Sequence, residues 1–348
     1  MGYSSGYHSY RGRTPKGRIV LTVLLVVVIL ASVAVILLSR YIVYDETGTP
    51  NLELPWQEEP AADTPPEEPA PPLDLTIQEA AKEETLRGFC VPVPLTRETW
   101  SSSIRRAEES FDCNAVAVTL KDGTGNVYFN STTALPGTVQ FQEEESDVAL
   151  SAVATYGQSI GGHTIARLSC FHDPKAANRD VEGKGLENTG GYIFYDGNNS
   201  QWLDPAKPAA REYLCALAKE AAELGFNEIL FTDVSYPTEG KLDKIACGEG
   251  EKSEHLATFL AEMRAALSPY DVTLSLELPE AVITQGADEA AGLSLEKLAP
   301  LVDRIYAATT AECVPALAEI ITAVSPGTGF VPELEAYTET LEGSFLIL

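Results

Sequence analysis

Apolar residues recur at helical spacing over 214–224 and then close up into a short run over 227–234. Leu214, Leu217, Ala218, Ala221, Ala222 and Leu224 form one stripe with Lys219, Glu220 and Glu223 between them, which predicts a helix. Gly225 follows, where a left-handed residue commonly ends a helix. The run after it predicts a buried strand that finishes in Thr232, Asp233 and Ser235 before Pro237. In a parallel barrel, that end of a strand carries the chemistry.

The same alternation continues along the chain. Strands are expected at 87–95, 115–120, 164–171, 228–234, 272–278, 304–307, 329–333 and 344–348. Helices are expected at 99–110, 147–156, 209–224, 254–267, 295–301 and 314–324, and a small hairpin arm at 127–129. A long loop rich in Gly, Asn and Asp is expected at 173–204. Strands alternating with helices predict a parallel sheet. Eight strands over about 270 residues favour closure into a (β/α)8 TIM-type barrel at 76–348.

Upstream the pattern changes. Residues 19–38 are uncharged and rich in Val, Leu and Ile, long enough to cross a bilayer core of roughly 30 Å. Residues 1–18 are a basic tail ending in Arg11, Arg13, Lys16 and Arg18. The expectation is a transmembrane signal anchor at 19–40 with its N-terminus cytoplasmic and the barrel extracellular. Ala31, Ser32 and Ala34 also offer small residues for signal cleavage, although the run exceeds the roughly 7–15 residues of a usual signal core. Residues 41–75 are acidic and Pro-rich, and so form a linker without a core.

Charge narrows the partners. The net charge is -27; the five basic residues before position 41 meet no acidic ones, so the remainder stands at -32. That argues against nucleic acid and anionic lipid as partners of the bulk of the chain. No GxGxxG or Walker loop follows a strand, which argues against a nucleotide cofactor. The six cysteines include no CxxC pair and no His at ligand spacing, so no metal site is expected. No cofactor is expected.

Candidate chemistry follows from strand parity. In the fifth strand Val272, Leu274, Leu276 and Leu278 face helices, so Thr273, Ser275 and Glu277 point inward. Glu277, at the C-terminal end, is a candidate acid or base. Ala117, Thr119 and Lys121 face in on the second strand. On the third, Arg167 requires an anionic partner: either a structural ion pair or a substrate, with Glu277 one such partner. Asp173 and Asp204 each precede a Pro and read equally as helix-start caps or catalytic groups. His163 and His172 read as loop or packing residues.

The segments NAVAVTLKDGTGNV at 114–127, IARLSCFHDP at 165–174, WLDP at 202–205 and ELGFNEILFTDVSYP at 223–237 resemble a bacterial glycoside hydrolase family with a (β/α)8 barrel. The resemblance spans 86–348, is strong to residue 240, and includes the anchor and Pro-rich linker. It implies an extracytoplasmic barrel that acts on, or binds, polysaccharide or cell-wall glycan. This chain departs from the family pattern at two strand ends. Thr119 stands where the second strand usually carries Asp, although Lys121 and Asp122 remain. Thr232 stands where the fourth strand carries its acid, and Ser235 where it carries Arg. Asp233 lies one residue late, on the opposite face if the strand continues. Glycoside hydrolysis normally uses two carboxyl groups, and Thr cannot replace them. The expectation is therefore Glu277 as general acid and Asp233 as nucleophile or base, with Arg167, Lys121 and Asp122 shaping the site. Trp202 and Tyr195 are candidate platforms for sugar rings or local packing residues. The alternative is an inactive barrel that binds glycan or a protein partner.

Overall fold

The computed structural model describes residues 42–44, 50–52, 85–140, 150–160, 162–339 and 341–348. The chain divides into two units, Met1–Gln78 and Glu79–Leu348. In the first, Ile42–Tyr44 pairs antiparallel with Pro50–Leu52, which falls within the predicted linker. The predicted membrane run lies outside the described residues. No described helix is long and apolar enough to cross a membrane.

The second unit is a closed barrel of eight parallel strands. They are β1 (Arg87–Val91), β2 (Ala115–Lys121), β3 (His163–Ser169), β4 (Glu228–Thr232), β5 (Thr273–Glu277), β6 (Arg304–Ala308), β7 (Gly329–Leu334) and β8 (Phe345–Ile347). β8 closes onto β1 with Phe345 opposite Arg87 and Ile347 opposite Phe89. β1 stops before the predicted 95 because Pro92 and Pro94 have no N–H for a ladder. β4 stops at Thr232 because Asp233 turns left-handed, at φ 52°.

The helices cover the outside. They are α1 (Arg97–Ser110), α2 (Leu150–Ser159), α3 (Pro174–Arg179), α4 (Pro208–Glu223), α5 (Lys252–Leu267), α6 (Glu280–Gln285), α7 (Leu295–Leu298) and α8 (Val314–Val324). α5 buries Leu256, Phe259, Leu260, Met263 and Leu267, one stripe at helical spacing. At about 1.5–3 kcal/mol per buried side chain, that stripe outweighs the roughly 1 kcal/mol of a helix cap. α3 lies inside the predicted long loop, and both α3 and α6 are too short to show a helical period. Asp173 caps α3, accepting from the Ala176 N–H at 2.8 Å with Pro174 in the first turn. Asp204 instead accepts from the Ala206 N–H at 2.9 Å, in a turn ahead of α4.

Two cores result. The larger lies between strands and helices and includes Val116, Val118, Leu120, Ile229 and Phe231. The smaller fills the barrel with Ala115, Ala117, Ile165, Leu230, Tyr306, Val331 and Leu346. Strand parity holds along β2 as far as Thr119, which faces Arg167. A bulge then sets Lys121 opposite Leu168, a member of the outer core. The extra residue ends the alternation, so the inward position predicted for Lys121 does not follow.

Candidate active site

Arg167 sits inside the barrel near its C-terminal end. β3 brings it up between β5 and β7, where its guanidinium reaches two carboxylates. It donates to Glu277 at 2.7 Å and to Glu333 at 2.5 Å, and touches the Cys90 thiol at 3.5 Å. Glu333 is only 2% exposed, whereas the Glu277 side chain is 32% exposed. Burial pushes the Cys90 thiol up to about 11, so it stays neutral.

One cation here faces two carboxylates, one buried and one half-buried, and cannot neutralise both. Burial first, and the Glu333 charge second, push the Glu277 carboxyl up to about 7; Arg167 opposes and Asp233 adds to the rise. Glu333 is also raised, by burial against the pull of Arg167. The two titrate as a unit. The more exposed Glu277 is the natural holder of the shared proton, because Arg167 stays neutralised by Glu333.

Asp233 enters the same region. β4 has ended before it, so its left-handed backbone, rather than strand parity, directs the side chain. Its carboxylate accepts from the Ser169 hydroxyl at 2.5 Å, a residue on the inward face of β3. Asp is among the few residues that tolerate this conformation. The 122–126 turn closes over it: a Cβ at Gly123 would lie 2.9 Å from His172 Nδ1 and 3.4 Å from Asp233 Oδ2.

The other predicted site residues are placed differently. Lys121 is 1% exposed and enclosed, 3.1 Å from Asp173 and donating to the Ser169 carbonyl at 2.8 Å. Asp122 holds its own turn, accepting from Thr124, Asn126 and the Tyr128 hydroxyl. Burial opposes ionisation of Asp122, but these donors outweigh it and lower its pKa. Trp202 stacks on His172 at 4.5 Å and donates its indole N–H to Asp196 at 2.9 Å. Tyr195 lines a separate cavity of about 560 Å³ that includes none of the strand-end carboxylates.

Sequence reasoning missed Glu333 and Cys90. The inward parity of Gly329, Val331 and Glu333 could have found the first, but this strand is weak in pattern. His163, read as a loop or packing residue, bonds Glu228 at 2.6 Å near the opposite end of the barrel. Among the described residues, no group of three or more His, Cys, Asp or Glu side chains is set to hold a metal. The arrangement offers a carboxyl that exchanges a proton near neutral pH and a second carboxylate turned into the same end of the barrel.

The sequence profile of a family described as a "putative glycosyl hydrolase domain" matches residues 96–309. That match leaves out β1, β7 and β8. No curated protein matches the chain. Among solved structures, the glycoside hydrolase domain of PgaB (BpsB) from Bordetella bronchiseptica is similar at 16% identity and a TM-score of 0.50, over 72% of this chain and 83% of that one. A hypothetical protein from Ruminiclostridium thermocellum ATCC 27405 is similar at 27% identity and a TM-score of 0.46, over 55% of this chain and 96% of that one. The former shares the barrel fold.

Proposed function

Because the chain belongs to this family of glycosyl hydrolase domains, we propose that it cleaves O-glycosidic bonds of a cell-wall or extracellular polysaccharide. Glu277 is the general acid and Asp233 the nucleophile or base. The observation that carries this reading is the Glu277 carboxyl, partly exposed at the strand ends and protonated up to about pH 7. A general acid is most effective with its pKa near the working pH. Glu277 gives its proton to the leaving glycosidic oxygen. As the glycosidic bond breaks, Asp233 either attacks the anomeric carbon, to be displaced later by a water whose proton passes to Glu277, or takes a proton from the attacking water. Arg167 remains paired with Glu333 throughout.

Residues 19–40 anchor the protein in a membrane, with the acidic linker holding the barrel outside the cell. The substitutions at Thr119 and Thr232 mark a divergence from the family's acidic pattern, with Glu277 and Asp233 taking over the carboxyl roles.

One observation favours a second reading. Glu277 is engaged with Arg167 at 2.7 Å, which suits a barrel that keeps its cleft and binds glycan without cleaving it. The test uses the intact chain on a panel of insoluble and soluble polysaccharides, scoring new reducing ends and retention together. Hydrolysis is expected, falling as pH rises through about 7. Glu277→Gln is expected to lower kcat by about 10²–10⁴-fold. Retention with no reducing ends from the native chain would establish the binding reading instead.

A further inference from the structure

Residues drawn from 188–196 and 240–244, Tyr195 among them, line an open cavity of about 560 Å³. Such a volume lies within the roughly 300–1,000 Å³ of small-ligand sites. Its walls are tied by backbone bonds. Thr189 N donates to the Lys244 carbonyl at 2.8 Å, Ala246 N to Glu187 at 2.9 Å and Asn188 N to Tyr192 at 2.7 Å. The groups that line it are unevenly committed. The Asp196 carboxylate is occupied by the Trp202 indole and the N–H groups of Asn198 and Ser200. Lys244 pairs with Asp243 at 2.9 Å, both well exposed. The Lys241 side chain, by contrast, makes no hydrogen bond or ion pair among the described residues, although its charge acts on the Asp243 carboxylate, and Tyr195 is 48% exposed with neither ring contact nor hydroxyl partner there. The side-chain N–H groups of Asn188 are also unused there.

An aromatic face and an ammonium group with no hydrogen-bonded partner thus share one cavity, whose own carboxylate, Asp196, is already held by three N–H donors. We propose that this cavity is a second carbohydrate subsite, apart from the strand-end carboxylates, and that it takes a sugar unit bearing a carboxylate. The C–H face of a pyranose packs on Tyr195, an amphipathic ring suited to a half-wet surface. Lys241 faces the uronate carboxylate, and Asn188 and Thr189 serve the ring hydroxyls. A neutral sugar leaves the ammonium group unused, and a free inorganic anion leaves the ring unused. The proposal rests on the reading of this chain as polysaccharide-active, and names an acidic polysaccharide as its substrate class.

The experiment titrates the intact chain with an oligogalacturonate and with a neutral oligoglucan of equal length, following heat. The uronide is expected to bind, to weaken with added salt, and to lose about tenfold or more in affinity in both Lys241→Gln and Tyr195→Ala. Its binding is expected to persist in Glu277→Gln. Equal binding of the neutral oligomer, unchanged in Lys241→Gln, would overturn the proposal. So would uronide binding lost in Glu277→Gln and kept in Tyr195→Ala, a result that leaves the polysaccharide reading standing with the sugar at the strand ends. No binding of either oligomer overturns the subsite, while reducing-end assays judge the hydrolase reading separately.

Discussion

Arg167 meets Glu277 and Glu333 within one hydrogen-bonded group, and at the scale of single residues the charge imbalance there raises the proton affinity of Glu277. Glu333 is the lever. Removing its charge in Glu333→Gln leaves Glu277 facing Arg167 alone, so the Glu277 pKa drops. The fall in hydrolysis at high pH is expected to begin at a lower pH than in the native chain, which a pH–rate profile reads directly. The same pair makes stability depend on pH. Glu277 is raised from 4.5 to about 7, so the folded state holds its proton more tightly than the unfolded chain. That stabilisation is complete below pH 4.5 and is lost as pH rises through about 7. Unfolding midpoints of Glu277→Gln are therefore expected to decline less over this window than those of the native chain. Glu277 was legible from parity within a clearly alternating strand. Asp233 was legible only as a residue out of phase, because a left-handed backbone leaves no periodic trace.

At the scale of elements, each strand and helix obeyed local rules wherever its period ran long enough. α4 ends at Glu223, and Gly225 follows at φ 88°, as the glycine position predicts. A Cβ there would meet nothing within 4 Å, so the cost of a side chain is purely conformational. Gly225→Ala is expected to cost about 1–2 kcal/mol, measured by denaturant unfolding, with Gly225→Asn costing less. Local rules failed where the chain departs from regularity. The β2 bulge redirected Lys121 to Asp173, and six-residue α3 and α6 left no period to read.

At the scale of the whole molecule, barrel closure packs charge into both ends of the interior. Near the N-terminal ends of the strands, Glu228 is fully buried and meets Ser275 at 2.6 Å, His163 at 2.6 Å and Arg304 at 2.5 Å. Burial opposes its ionisation, but the His163 bond and the Arg304 charge prevail and lower its pKa. Its contribution is present above the ordinary carboxylate range and is lost as pH falls through the lowered value. Glu228→Gln is expected to cost about 3–5 kcal/mol by equilibrium unfolding at neutral pH, since it strips the anion from a buried ion cluster. The hydrophobic pattern by itself determined that strands and helices alternate, that eight strands exist and that the sheet is parallel. Those follow from side-chain period and burial, which are local properties. Only the closed barrel decided which charges meet. Arg167 and Glu333 are 166 positions apart, Glu228 and Arg304 76, and no local period links such residues. Their distances, and hence the proton affinity of Glu277, arise from strand register and from the low-dielectric interior that closure creates.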